Sequence, residues 1–224
     1  RCGRNLKNFN NFIGLPLSIF QFDDSLEVVV LEMGMSDFGE IDRLASIVKP
    51  HIGVITNIGV AHMESLGSRE GIFQAKMEIA KHIAGDDELP GTLIYASDSE
   101  FLTKERTKGN YDQISVGEKG KDDYIISSVD DFGMDGIKFT LEHAQEVRQI
   151  SLPLPGRHNA INSALAVAVG DLLGVSPEEE TDGLAAADLT GNRLKRREND
   201  SICVIDDTYN ASPDSMKSAL RVLD

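Results

Sequence analysis

Glu27-Val28-Val29-Val30-Leu31-Glu32 is a short apolar run that ends on a carboxylate, and Ile52-Gly53-Val54-Ile55-Thr56 is a second, β-branched one. Runs of this kind fit strands buried on both faces. Between them the period becomes helical: Ile41, Leu44, Ala45 and Val48 recur on one face until Pro50 stops the pattern. Asp37 is placed to cap the first turn, and Glu40, three residues on, completes the spacing of a capping box. Strand, helix and strand then make a unit of roughly 30 residues, the size of a right-handed βαβ crossover, with both strands running the same way. The predicted fold class is α/β, a mostly parallel sheet flanked by helices.

Open parallel sheets bind ligands beyond the carboxyl ends of their strands, and there stand Glu32 and Asn57. The following loop, Gly59-Val60-Ala61-His62-Met63-Glu64, carries an imidazole. A helix is predicted from about Arg69 to Ile83, with Ile72, Ala75, Ile79 and Ile83 as its apolar stripe. Lys76 falls inside that stripe, four after Ile72 and three before Ile79. An ammonium there is desolvated, unless it snorkels to the surface or pairs with Glu64 or Glu78. Glu32, His62 and Lys76 are thus candidates to converge on one pocket.

Working outward, Asn8, Asn10 and Asn11 lie close together ahead of Gly14 and Pro16, as in a turn whose amides satisfy backbone groups. Thr92 to Ala96 reads as a further sheet strand after a loop from Gly85 to Gly91. From Gln113 to Leu152, short alternating runs divided by Gly and Asp predict a small, mainly antiparallel sheet with no chemistry of its own. The helix opened by Gly156-Arg157-His158-Asn159 buries Ile161, Ala164, Leu165, Ala168 and Leu172. Asn159 and Asn162 share one of its faces, so both amides can address one heterocycle with donor and acceptor edges, although an Asn or His at a helix start also serves as a cap. A second helix, Pro177 to about Ala187, leads through Leu189-Thr190-Gly191-Asn192 to the basic cluster Arg193-Leu194-Lys195-Arg196-Arg197, which faces an anion or forms a solvated hinge. Ser201 to Asp206 reads as a strand, and Asn210, Ser212 and Pro213 as the turn and cap of a last helix.

Composition narrows the function classes. The 224 residues are 41% hydrophobic and carry a net charge of −15, which opposes a general nucleic-acid surface but not a single nucleotide. No apolar run has the length of a bilayer span, and the first residues lack the apolar core of a signal peptide, so a cytoplasmic setting is expected. Cys2 and Cys203 show no metal-ligand spacing and are expected to be reduced.

Taken in order, Glu32-Met33-Gly34, Gly39-Glu40-Ile41, Thr56-Asn57-Ile58-Gly59, Ala61-His62, Gly67-Ser68, Ala75-Lys76 and Glu78-Ile79 look like the central domain of the Mur ligases. Asp207-Thr208-Tyr209-Asn210-Ala211-Ser212-Pro213-Asp214-Ser215-Met216 resembles the start of the C-terminal domain in the branch that joins D-alanyl-D-alanine to UDP-N-acetylmuramoyl-tripeptide. The resemblance extends over nearly the whole chain. It implies a P-loop NTPase-like central ATP-binding domain over residues 1–198 and the start of a Rossmann-like domain over 199–224. It further implies ATP and Mg²⁺ as cofactors, an acyl-phosphate route to the amide, small-molecule partners, no nucleic acid, no membrane insertion and a monomer.

By the same resemblance, Glu32, His62 and Lys76 serve metal binding and catalysis, with Lys76 carbamylated. Asn159, Asn162 and, more weakly, His158 lie at the adenine, Arg193 at nucleotide phosphate and Asp207 at the ribose. Asn8, Asn10 and Asn11 lie near the uridine-linked substrate, although Lys7 stands where the family has Gly. Only Asp98 matches the family's Asn-Gly-Asp after the strand at Thr92 to Ala96. The family's Gly-Lys-Thr phosphate loop has no counterpart in this sequence, which also begins without Met. The chain is therefore expected to be a fragment that does not turn over ATP alone. Another Mur-type or folylpolyglutamate-type ligase, and a non-catalytic nucleotide-binding module, are the alternatives.

Overall fold

A computed structural model describes residues 1–188, 191–199 and 201–222, and for Asp214 the backbone alone. Leu189 and Thr190, read above as the lead-in to Arg193, lie outside these. The architecture is α/β, with parallel pairing between β-strands, flanking helices and antiparallel sheet besides. By contact the chain groups into two units: residues 1–53 with 61–93 and 107–112, and residues 54–60 with 94–106 and 113–224.

In the first unit, β1 (Cys2–Arg4) pairs in parallel with β2 (Val28–Val30), Arg4 opposite Val30. Burial of β2 on both faces is not what the structure shows: Val30 is 57% exposed and Val29 also faces water. Among the described residues β2 pairs with β1 alone. α1 (Gly14–Ile19) follows the asparagine turn, where Asn11 Oδ1 accepts the N–H groups of Ile13 and Gly14. α2 (Glu40–Val48) buries Ile41, Leu44 and Ala45, as its periodicity requires, and closes on Lys49 in the left-handed region just before Pro50.

The cap of α2 corrects the sequence reading. Its N-cap is Gly39 at φ 82°, two residues beyond Asp37, whose carboxylate turns to the N–H of Phe38. The first-turn N–H groups are taken by a distant residue instead. Glu78 accepts from Gly39 N at 2.8 and 3.0 Å and from Asp42 N at 3.1 Å, and it is 8% exposed. Glu40 accepts from the N–H groups of Ser36 and Asp37, tightening the turn ahead of the helix.

α3 (Met63–Leu66) is a single turn, and α4 (Arg69–Lys76) starts on Ser68, whose hydroxyl accepts from Gly71 N. The predicted helix to Ile83 is thus α-helical to Lys76, and from Met77 to His82 it winds as a 3₁₀ helix. The tightened turns aim Glu78 at the start of α2 and set His82 Nε2 3.1 Å and Lys81 Nζ 3.2 Å from the Asp42 carboxylate. The change of winding thus accompanies contacts to a segment some 40 residues away, absent from any local window.

β3 (Ile52–Ile55) and β4 (Thr92–Ala96) begin in the first unit and end in the second, where a six-stranded sheet runs β3-β4-β5-β6-β7-β8. The strands on either side of α2 therefore belong to different ladders, β2 with β1 and β3 with β4. β4 is buried along its whole length, as its unbroken apolar run demands. β5 (Asp112–Gly117) meets β6 (Tyr124–Asp131) in parallel, and β6, β7 (Ile137–His143) and β8 (Glu146–Leu152) form an antiparallel meander. This antiparallel run continues the main sheet through β5 and does not pack against it as a separate layer.

α5 (His158–Leu172) buries Ala160, Ala164, Leu165, Val167 and Ala168 and lies over β6 and β7, while α6 (Pro177–Ala185) lies against β8 with a capping box from Ser176 and Glu179. Arg148 of β8 ties both helices down through Asp171 and Glu180, each at 2.9 Å. Tyr124 donates to the other Asp171 oxygen at 2.8 Å. The basic cluster is no hinge at its centre: Lys195 to Glu198 is a strand, β9, antiparallel to β10 (Cys203–Asp206). Two of its charges are answered locally, Arg196 by Glu198 and Arg197 by Asp206. α7 (Pro213–Arg221) follows, capped by Ser212. Both cysteines are free and exposed, and no helix among the described residues is long and apolar enough to cross a membrane.

Candidate functional site

Each unit holds its own part of the predicted site residues. In the first unit, Glu32 stands two residues past the end of β2, exposed, with its backbone held on both sides. Asn5 Oδ1 accepts from Glu32 N at 2.6 Å, and Asn5 Nδ2 donates to Glu32 O at 3.2 Å and to Phe9 O at 2.7 Å. A side-chain amide has the donor and acceptor of a peptide group, so Asn5 extends the β1–β2 pairing past its last rung. Asn10 Nδ2 donates to Glu32 Oε1 at 2.9 Å. The second carboxylate oxygen accepts no hydrogen bond from a described residue.

His62 occupies the left-handed region at φ 65° as the N-cap of α3, with its ring exposed. This backbone conformation is uncommon for a side chain with a Cβ, and such strain recurs where a fold holds a functional group in place. Lys76, the last residue of α4, is half-buried beside the fully buried Ala75. Loss of water there lowers its pKa from the ordinary lysine value, as its place in the apolar stripe implies.

Among the described residues no group of three or more His, Cys, Asp and Glu side chains is placed to hold a metal ion. Glu32 offers a hard carboxylate oxygen and His62 an imidazole, each exposed, and no hydrogen bond or ion pair among the described residues joins the two. Side chains of these types fit a cation that keeps several waters and takes phosphate oxygens, as Mg²⁺ does, better than one that needs an all-protein cage. Of the predicted substrate contacts, Asn10 is bonded to Glu32, Asn11 is spent on the α1 turn, and Asn8 is exposed, with its carbonyl accepting from Asn10 N.

In the second unit the two amides at the start of α5 play unequal parts. Asn159 is buried and donates to Pro155 O at 2.8 Å, and its Oδ1 accepts from Asn162 Nδ2 at 3.3 Å. Asn162 is exposed and keeps its own Oδ1 uncommitted among the described residues. Burial lowers the pKa of His158, against the pull of Asp207 and Asp131, which favours its neutral imidazole. Arg193 lies over the Tyr209 ring, 4.3 Å from its centroid, and makes no ion pair with a described residue. Asp207 Oδ1 accepts from Leu194 N at 3.2 Å and Tyr209 N donates to Asn192 O at 3.1 Å, so the Arg193 loop is stitched to the segment after β10.

Three residues at these sites were not marked out by sequence reading: Asn5, Glu78 as a helix cap, and Tyr209 as the platform for Arg193. Asn5 and Glu78 act across 27 and 39 residues of chain, so no local pattern announces them.

The pattern described as the Mur ligase middle domain matches residues 2–170. The UDP-N-acetylmuramoyl-tripeptide–D-alanyl-D-alanine ligase of Bacillus subtilis (strain 168) is 40% identical over 219 residues, 96% of this chain and 45% of the relative. The ligase of the same description in Escherichia coli (strain K12) is 29% identical over 100% of this chain and 50% of its own length. Among solved structures, MurF from Acinetobacter baumannii superposes with a TM-score of 0.91 at 34% identity, covering 99% of this chain and 48% of that one. MurF ligase from Thermotoga maritima in complex with ADP gives a TM-score of 0.84 at 28% identity, covering 99% and 50%. The chain spans about half the length of the curated relatives it matches.

Proposed function

The chain belongs to the Mur ligase family, and from that membership we propose that it is part of the ATP-dependent ligase that joins D-alanyl-D-alanine to UDP-N-acetylmuramoyl-tripeptide in peptidoglycan precursor synthesis. The observation that carries this reading is the kinship over nearly the whole chain to ligases named for that reaction. In this reading residues 1–198 are most of the central ATP-binding domain and 199–224 begin the C-terminal one. The setting is the cytoplasm, where the nucleotide-linked substrate is made.

A carboxylate is a poor acyl donor. The tripeptide carboxylate therefore attacks the γ-phosphorus of ATP, ADP leaves, and the amine of D-alanyl-D-alanine displaces phosphate from the acyl phosphate, with its proton passing to solvent or a nearby base. Little covalent chemistry falls to the protein; placement and charge stabilisation do the work. Glu32 and His62 would hold Mg²⁺, which when bound draws charge from the transferring phosphoryl group. Lys76, its neutral form favoured by burial, adds CO₂ to become a carbamate, releasing a proton and gaining an oxygen ligand on a long stem. Asn162 reads the adenine from a position fixed by Asn159, neutral His158 lies alongside, Arg193 meets phosphate and Asp207 the ribose. Asn8 and Asn11 serve the uridine-linked substrate from the turn they occupy.

The test is phosphate release by the full-length protein that carries this chain. Release that depends jointly on ATP, UDP-N-acetylmuramoyl-tripeptide and D-alanyl-D-alanine is expected. Release with glutamate and a folate in their place, or with no acceptor pair at all, would refute the assignment.

A further inference from the structure

We propose that Asn10 is a positioning residue for Glu32, with Asn5 as its backbone counterpart, so that one carboxylate oxygen is tethered and the other is presented to a divalent cation. This rests on the reading of Glu32 as a metal ligand. Four contacts carry it. Asn5 grips both the N–H and the carbonyl of Glu32, at 2.6 and 3.2 Å, which fixes the direction in which the side chain leaves the backbone. Asn10 Nδ2 then fixes its rotation by holding Oε1 at 2.9 Å. The Asn10 backbone is itself pinned, because its main-chain carbonyl accepts from Gly34 N at 2.8 Å. Gly34 also makes the approach possible: a Cβ there would sit 2.9 Å from the Asn10 amide carbon and oxygen, inside contact distance.

The chemistry of the tether matters. An amide N–H is a neutral donor, so it orients the carboxylate without cancelling its charge, whereas Lys or Arg would compete with a cation for it. Oε2 is the oxygen left for a ligand. With its side-chain amide bonded to Glu32 and its backbone carbonyl bonded to Gly34 N, Asn10 acts through Glu32 and not on the uridine-linked substrate. Partners of this kind tune metal affinity by about 10- to 100-fold.

In the full-length ligase, Asn10→Ala is expected to raise the Mg²⁺ concentration for half-maximal activity by about 10- to 100-fold. The KM for the uridine-linked substrate is expected to hold within about twofold, because uniform substrate binding is untouched. Asn10→Asp should be worse than Asn10→Ala, since it sets a second carboxylate against Glu32. Gly34→Ala, which displaces the Asn10 amide without removing it, should resemble Asn10→Ala. A readout without turnover uses this chain: the ¹⁵N side-chain amide signal of Asn10 should move in Glu32→Ala, and Mn²⁺ affinity measured by electron paramagnetic resonance should fall in Asn10→Ala. If Glu32→Ala shifts the Mg²⁺ dependence and Asn10→Ala does not, the positioning role is wrong and the metal site stands. If Glu32→Ala leaves that dependence unchanged, the metal-site reading falls and takes the inference with it. A raised KM for the uridine-linked substrate at unchanged Mg²⁺ dependence would return Asn10 to substrate binding.

Discussion

Replacing Glu78 by Ala removes the cap of a helix that lies far from it in sequence. The carboxylate is 8% exposed and takes the N–H groups of Gly39 and Asp42 over three contacts of 2.8 to 3.1 Å. A hydrogen bond to a charged group contributes about 1.5–3 kcal/mol net, and loss of an N-terminal cap costs about 1 kcal/mol. Gly39 is exposed and recovers water in the variant, so its share is small; Asp42 is half-buried and recovers less. Removing the one methylene, Cγ, adds about 0.8 kcal/mol, and release of the buried charge and its rotamers offsets part of the total. The sum is roughly 3 kcal/mol. With a urea slope of about 3 kcal/mol per molar, the unfolding midpoint of the chain should fall by about 1 M. Glu78→Gln, which keeps one acceptor oxygen but points a donor at the same amides, should lose at least half as much. Hydrogen exchange localises the effect: Gly39 and Asp42 should lose more protection than β6 to β8. A midpoint shift below about 0.2 M, or unchanged protection at Asp42, would show that the helix does not depend on Glu78.

Lys76 gives a pH signature with a definite sign. Its pKa is lowered in the fold by desolvation, so the unfolded chain binds more protons and stability rises as pH climbs from the folded pKa toward the ordinary lysine value of about 10.4. Lys76→Met should flatten that rise and raise stability below it, and equal slopes in the two proteins would contradict the desolvation. In ¹³C-bicarbonate the unaltered chain should show a carbamate carbon signal that Lys76→Met lacks; in the full-length ligase Lys76→Ala should be nearly inactive and partly restored by a small carboxylic acid. Asn162→Ala should raise the KM for ATP more than that for D-alanyl-D-alanine, whereas Asn159→Ala should also lower the melting temperature, because it strips a buried bond to Pro155. An equal rise in both KM values for Asn162→Ala would make it a helix cap only.

How much of this was legible in the sequence depended on the range of the interaction. Strand runs such as Thr92 to Ala96 and helical stripes such as Ile41, Leu44 and Ala45 announce themselves because burial repeats with the local period. The Ser176–Glu179 capping box is legible for the same reason, both partners lying within one turn. The anomaly of Lys76 was visible too, since a charge in an apolar stripe needs no tertiary knowledge to be noticed. What the sequence did not decide were matters of contact between distant segments. The start of α2 hangs on Glu78 and not on the nearby Asp37, and that same bond accompanies the change from α to 3₁₀ winding after Lys76. Val29 and Val30 are as apolar as any core strand, yet both face water, because burial of a strand face depends on what other segments pack over it. Asn10 reads as a turn residue, and Asn5 carries no signal at all, until Glu32 is brought to them. Local propensity and burial period act within a few residues and can be read along the chain; the pairing of a donor with an acceptor many residues away exists only once the chain has folded.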